Sequence, residues 1–250
     1  MNRTHTIRLN RAITLVSVFG ALLTYLMRPL GVAMWALDIV VRAYLHFVAG
    51  VMAHEGVHGH LGETRSANSW WGRFAMLPTT VPYATFCATH RQHHRSTNIP
   101  RLDPDEFLNT PHKWQIPFRA FALPYHWLLS MFWDHSLTRR VRIECYIHYS
   151  AVGLIYGALG WLVGFERVVI GLLCSSTLHS LLLWYAFAIK THEGYSTGSA
   201  ETRSHNYRGK WVYWFSLGLS MHQLHHMTPK LAWIAMAPHV KTGNSLSSAL

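Results

Sequence analysis

Eight histidines of this 250-residue chain fall into three short stretches: HEGVH from His54, HRQHH from His90 and HQLHH from His222. On a helix, positions i, i+3 and i+4 share one face. His54 and His58 fit that spacing, as do His90, His93 and His94, and again His222, His225 and His226. Each stretch therefore offers two or three ring nitrogens towards a common centre. Imidazoles packed so closely repel one another when protonated; when neutral, each still needs a partner for both ring nitrogens. A metal ion satisfies the lone pair, and a carboxylate or carbonyl takes the ring N–H. Glu55, Asp103, Asp105, Glu106, Glu193 and Glu201 lie near the histidine stretches and could serve.

Two rival readings use the same residues. HEGVH also fits HExxH, in which two histidines bind zinc and Glu55 is the general base of a metalloprotease; that reading leaves both HxxHH stretches unexplained. A metal carrier is expected to spread ionisable residues along a path through the bilayer, whereas most histidines here gather on one side. Isolated histidines are read as interfacial or packing residues: His5, His112, His126, His135, His148 and His239.

The elements that must position these groups are apolar. Half of the residues are hydrophobic and 13% are charged, about half the charged share usual in soluble domains. Eleven each of Trp, Tyr and Phe suit interfacial aromatic belts. The net charge is +11, but the basic residues are spread over loops between apolar segments and face lipid head groups better than nucleic acid. Cys87, Cys145 and Cys174 make neither a disulfide framework nor a CxxC pair. The basic N-terminus before an apolar stretch reads as a retained signal anchor.

Hydropathy marks four spans, at 12–27, 31–53, 146–165 and 168–189, with a tight turn at Pro29 and a hairpin turn at Glu166 and Arg167. The first is short for a bilayer needing about 20 residues. The short turns hold only Arg28 and Arg167; the N-terminus, the long central loop and the C-terminal region hold nearly every other Lys and Arg. The positive-inside rule then puts both termini and both large polar regions in the cytoplasm. Segment 73–87 reads as interfacial or re-entrant, and the aromatic stretch from Phe118 as an interfacial helix. Asp38, Arg42 and His46 recur every fourth residue towards His54; they read as an inward-facing stripe that stabilises the bundle, against a proton or substrate path. His192 directly follows the last span, on the side of the three stretches. Nine imidazoles exceed one coordination shell and suit two metals with open positions, and imidazole alone is compatible with zinc, copper, iron or nickel. The fold class is all-α integral membrane, with a cytoplasmic helical cap holding a histidine-rich dimetal site, in a single domain over 1–250.

The order HxxxH, HxxHH, HxxHH resembles the membrane fatty acid desaturase superfamily, which includes acyl desaturases, carotenoid hydroxylases and ketolases, and more distantly alkane hydroxylases. HEGVHGHL followed by Asn68 and Gly72, THRQHHRSTN, DPDEF, HNYRG and MHQLHHMTPKLAW all look like segments of these enzymes, in the same order over 53–233. The resemblance implies two nonhaem iron ions that activate dioxygen, held by His54, His58, His90, His93, His94, His192, His222, His225 and His226. His60 is extra and is placed outside the ligand set. In some acyl desaturases an asparagine four residues before the counterpart of His192 holds a water; Ala188 stands there, so that detail does not carry over. The implied reaction desaturates a lipid hydrocarbon chain, with carotenoid hydroxylation or ketolation as the alternative. Electrons would come from a separate ferredoxin, rubredoxin or cytochrome system, because no haem-binding or iron–sulfur pattern is evident. Iron occupancy should fall with acid below about pH 6.5, the reference value for histidine.

Overall fold

The computed structural model describes residues 2–27, 31–133, 138–194 and 196–242. Pro29, Arg28 and His135 lie outside the described residues. Among the described residues there is no strand. The membrane helices are α1 (Arg3–Leu23), α2 (Val32–Val57), α6 (Arg139–Val163) and α7 (Phe165–Leu178). Between α2 and α6 lie α3 (Arg65–Ala75), α4 (Tyr83–Ser96) and α5 (Ile116–Trp133). After α7 come the short α8 (Lys210–Phe215), α9 (His222–Met227) and α10 (His239–Thr242). Four helical stretches of 24, 26, 25 and 28 residues are long and apolar enough to cross a membrane: Arg3–Leu26, Val32–Val57, Arg139–Val163 and Phe165–His192.

Each helix departs from its hydropathy boundaries for a local reason. α1 begins well before position 12 because its polar first turns dock on the cap. The Asn10 amide donates to the His60 carbonyl at 3.1 Å, the Trp233 indole donates to Asn10 Oδ1 at 2.9 Å, and Arg11 Nε donates to the Leu61 carbonyl at 2.8 Å. α6 starts at Arg139, capped by the Thr138 hydroxyl, which accepts from Val141 N at 3.3 Å. Its polar first turns are tied to α3 by Arg73 and Glu144 at 2.7 Å. Glu166 and Arg167, expected in the hairpin turn, instead lie in the first turn of α7. Gly164 makes the turn, with φ of 99°, a conformation that glycine adopts without steric penalty. Glu166 then sits where a helix N-terminus favours a negative charge.

Segment 73–87 is the end of α3, a Pro/Thr turn and the start of α4. α5 buries Ala120, Leu123, Trp127 and Met131 on one side and exposes Phe118, Leu129, Phe132 and Trp133 on the other; that is the pattern of an interfacial helix. Val16, Leu37, Leu154, Trp161 and Leu162 are exposed on the long helices, as lipid-facing positions must be.

The stripe on α2 turns inward. Arg42 is 1% exposed; it pairs with Asp38, donates to Thr24 Oγ1 at 2.8 Å and lies 3.7 Å from the Tyr25 ring centroid. Arg42, paired with Asp38 on its own helix, thereby links α2 to the turn that follows α1. The main apolar cluster, with Phe47, Met52, Phe86, Leu108, Trp127 and Leu219 among its members, lies where α2 meets α4, α5 and the C-terminal helices. A smaller cluster of Tyr25, Val152, Tyr156 and Val168 joins α6 and α7 to the end of α1.

Candidate metal centre

Four separate pieces of chain present the histidines. His54 and His58 stand one turn apart at the end of α2, and His90, His93 and His94 occupy the last turns of α4. His192 ends a 3₁₀ turn that continues the last membrane helix, and His222, His225 and His226 lie on α9. The loop before α9 fixes that helix: Asn206 Oδ1 accepts from Leu224 N at 3.3 Å, and the Asn206 amide donates to Gln223 Oε1 at 3.2 Å.

The nine rings converge as two groups rather than one. His54, His58, His90, His94 and His225 form the first, and His93, His192, His222 and His226 the second; ligand atoms within each lie within 4.8 Å of one another. In the first group, Nε2–Nε2 distances are 3.1 Å for His54–His225 and 3.0 Å for His58–His90, His90–His94 and His94–His225. In the second they are 2.8 Å for His192–His222, 3.2 Å for His222–His226 and 3.3 Å for His93–His226. The groups adjoin, with the His94 and His226 ring centroids 4.5 Å apart. The histidine-rich site read from the sequence thus takes the form of two adjoining groups. Consecutive helical residues point about 100° apart, so the neighbours His93 and His94 enter different groups, as do His225 and His226.

This donor set fits metal. An Nε2 that faces two or more rings can donate at most one proton, so the lone pairs left facing one another repel unless a cation lies between them. Two nitrogens about 2.1 Å from one first-row cation, at angles near 90–110°, are about 3.0–3.4 Å apart, and the measured separations fall around that range. Ring N–H partners are also in place. His93 Nδ1 donates to Asp103 at 2.9 Å, and His192 Nδ1 donates to the Arg203 carbonyl at 2.8 Å. Both bonds leave the lone pair on Nε2. Of the six carboxylates expected near the site, Asp103 makes this contact and Asp105 lies 3.6 Å from the same nitrogen. Glu106 instead accepts from Arg101 N, and Glu193 pairs with Lys190. Glu201 contributes its backbone carbonyl, which accepts from Gln223.

The electrostatics keep most of these rings neutral. Burial, with the charges of His60 and Arg91, lowers His58 to about 3. Burial and neighbouring histidines lower His94 to about 2 and depress His90, His222, His225 and His226. His93 is the exception: burial lowers it, but Asp103 and Asp105 outweigh that and raise it. Asp105, half-buried beside Asp103, is pushed up to about 6 by desolvation.

His60 belongs to neither group. Its Nδ1 faces Glu55 Oε2 at 2.9 Å and its Nε2 faces the Lys230 carbonyl at 3.0 Å. Both partners are acceptors, so both nitrogens carry protons, in keeping with its raised pKa, where Glu55 overcomes burial. Glu55 also accepts from Trp233 N at 3.3 Å. Glu55 is thus held by His60 and Trp233, and His54 and His58 share their group with His90, His94 and His225. Of the isolated histidines, His5 and His112 are exposed, His126 stacks on Phe107 with ring centroids 4.0 Å apart, and His148 is buried. His239 is half-buried.

A cavity of about 80 Å³ opens onto His54, His90, His93 and His222. Its walls include Phe86, Leu108, Leu123, Trp127, Trp184 and Leu219, and it extends past Gly50 and Ala188 to His179. His179 escaped the sequence reading. The available signal was a lone ionisable residue inside an apolar span, which marks a functional candidate by default.

A sequence model described as fatty acid desaturase matches residues 29–238. The sn-1 acyl-lipid omega-3 desaturase (ferredoxin) of Synechocystis sp. is 30% identical over 67 residues, 27% of this chain. The match spans only 18% of that relative's length.

Proposed function

The chain belongs to the fatty acid desaturase family, and on that premise we propose that it is a membrane-bound oxidase that desaturates a lipid hydrocarbon chain with dioxygen. The observation that carries this reading is the pair of convergent Nε2 groups facing one apolar cavity. His54, His58, His90, His94 and His225 would hold one iron, and His93, His192, His222 and His226 a second. A hydrocarbon C–H bond is too weakly acidic for a side-chain base, and two bound irons would supply the oxidising power through dioxygen. The two hydrogens leaving the lipid, with two electrons and two protons from outside, reduce one dioxygen to two waters. Those electrons come from a separate ferredoxin, rubredoxin or cytochrome with its reductase.

The chain's own residues do the positioning. Phe86, Leu108, Trp127, Trp184 and Leu219 enclose an alkyl chain and exclude water. His54, His90, His93 and His222 form the wall beside the carbons to be oxidised. Asp103 and the Arg203 carbonyl hold His93 and His192 by their ring protons. Both termini and the site lie on the cytoplasmic side, a reading supported by the distribution of Lys and Arg.

Expression in a host with a defined lipid pool, followed by product mass, tests the reaction. Loss of two hydrogens supports desaturation; gain of oxygen assigns a hydroxylase or ketolase instead. Metal analysis should give about two irons per chain, and one zinc would refute the diiron reading. His93→Ala should abolish product with membrane insertion retained.

A further inference from the structure

The cavity beside the histidine groups does not stay apolar to its far end. On α2, Gly50 lies one turn from His54 and His46 one turn further, about 12 Å from His54 along the axis. At that depth His179 lines the cavity, its ring centroid 6.2 Å from that of His46 and edge-on to it. His46 is 0% exposed and His179 7%. Among the described residues, neither ring nitrogen of His46 nor Nε2 of His179 has a hydrogen-bond partner. Ser176 and Ser180 line the same wall. The helix changes its winding at this residue: His179–Ile189 is π-helical, a rare geometry that is frequent at functional sites.

A plain hydrocarbon tail ending here would leave the imidazole unpaired in dry surroundings, which is unfavourable. A neutral imidazole offers one donor and one acceptor, so a hydroxyl can satisfy either nitrogen and a carbonyl the protonated one. We infer that the lipid taken by this site carries an oxygen function, a hydroxyl or carbonyl, that meets His179 at the membrane-embedded end of the cavity. This rests on the reading of the cavity as the substrate's. It narrows the substrate class to lipids polar at the buried end as well as at the surface. His179 is then a specificity-determining residue.

The test uses the purified full chain in nanodiscs and two probes of equal length, 1-dodecanol and dodecane, with binding corrected for partition into empty nanodiscs. Wild type should bind the alcohol about tenfold tighter, equivalent to about 1.4 kcal/mol. His179→Phe should keep alkane binding and bring the ratio near one, while His179→Gln should keep the preference. Equal binding by wild type, as when a trapped water joins His46 and His179, overturns the inference. So does a preference that survives in His179→Phe, or in His179→Leu should the Phe variant not fold. Iron content and lipid product measured on the same preparation separate the two readings. A protein without metal or product whose preference still follows His179 sinks only the proposed reaction. One that forms product without any preference sinks only the inference.

Discussion

His93 and His60 carry similar rings with opposite assignments, and their hydrogen bonds decide between them. His93 donates one ring proton to Asp103 and keeps its other nitrogen for the group around His192. His60 faces an acceptor on each side and has no lone pair to offer. Asp103→Asn should therefore weaken metal binding about 10–100-fold, read as metal affinity by competition with a chelator, while His60→Gln should leave stoichiometry unchanged. The depressed histidines also set a pH dependence. His58 at about 3 and His94 at about 2 stay neutral when folded, whereas in the unfolded chain they take up protons below about 6.5. Between pH 6.5 and about 3 the unfolded state binds more protons, so stability falls as pH falls. Each such histidine steepens the slope by up to about 1.4 kcal/mol per pH unit. The metal-free protein should show a Tm that declines steadily from pH 7 to pH 5. Metal loss below pH 6.5 should coincide with unfolding, followed by circular dichroism and metal release together; release from a fully folded protein at pH 6 would count against this.

α2 carries much of the design. A ridge of every fourth residue, Asp38, Arg42, His46, Gly50, His54 and His58, winds along it, from an ion pair within the helix through the cavity wall to the histidine groups. Gly50 matters because it packs closely on Trp184: a Cβ there would lie 3.1 Å from that ring, which would have to shift by a few tenths of an ångström. Gly50→Val should fill the cavity or displace Trp184, cutting product at least about tenfold. His54 lies a full turn away, so metal content should persist; product mass and metal analysis on one preparation check both. Hydropathy found this helix and its three membrane partners, but it set their ends too early or too late. Polar turns such as Arg3–Arg11 and Arg139–Glu144 become helical by docking on the cap, and local hydropathy carries no record of contacts with residues as distant as Leu61 and Trp233.

Across the molecule, the histidine groups tie α2, α4, the end of the last membrane helix and α9 together, although these pieces are separated by up to 171 residues in sequence. A metal bound only by the folded arrangement stabilises it by mass action. Stripping with a strong chelator should lower Tm by several degrees, and adding ferrous iron back should restore it; an unchanged Tm would mean the segments hold their places without metal. The sequence by itself determined the all-α membrane class, the family and the histidines worth following, because apolar spans and helical spacing are local patterns. Only the tertiary structure decided that the nine histidines split into five and four, that Asp103 rather than Glu55 or Glu193 supports a histidine of these groups, and that His179 lines the cavity. The physical reason is that a side chain's direction follows from its own helix, whereas its partner follows from how distant helices pack.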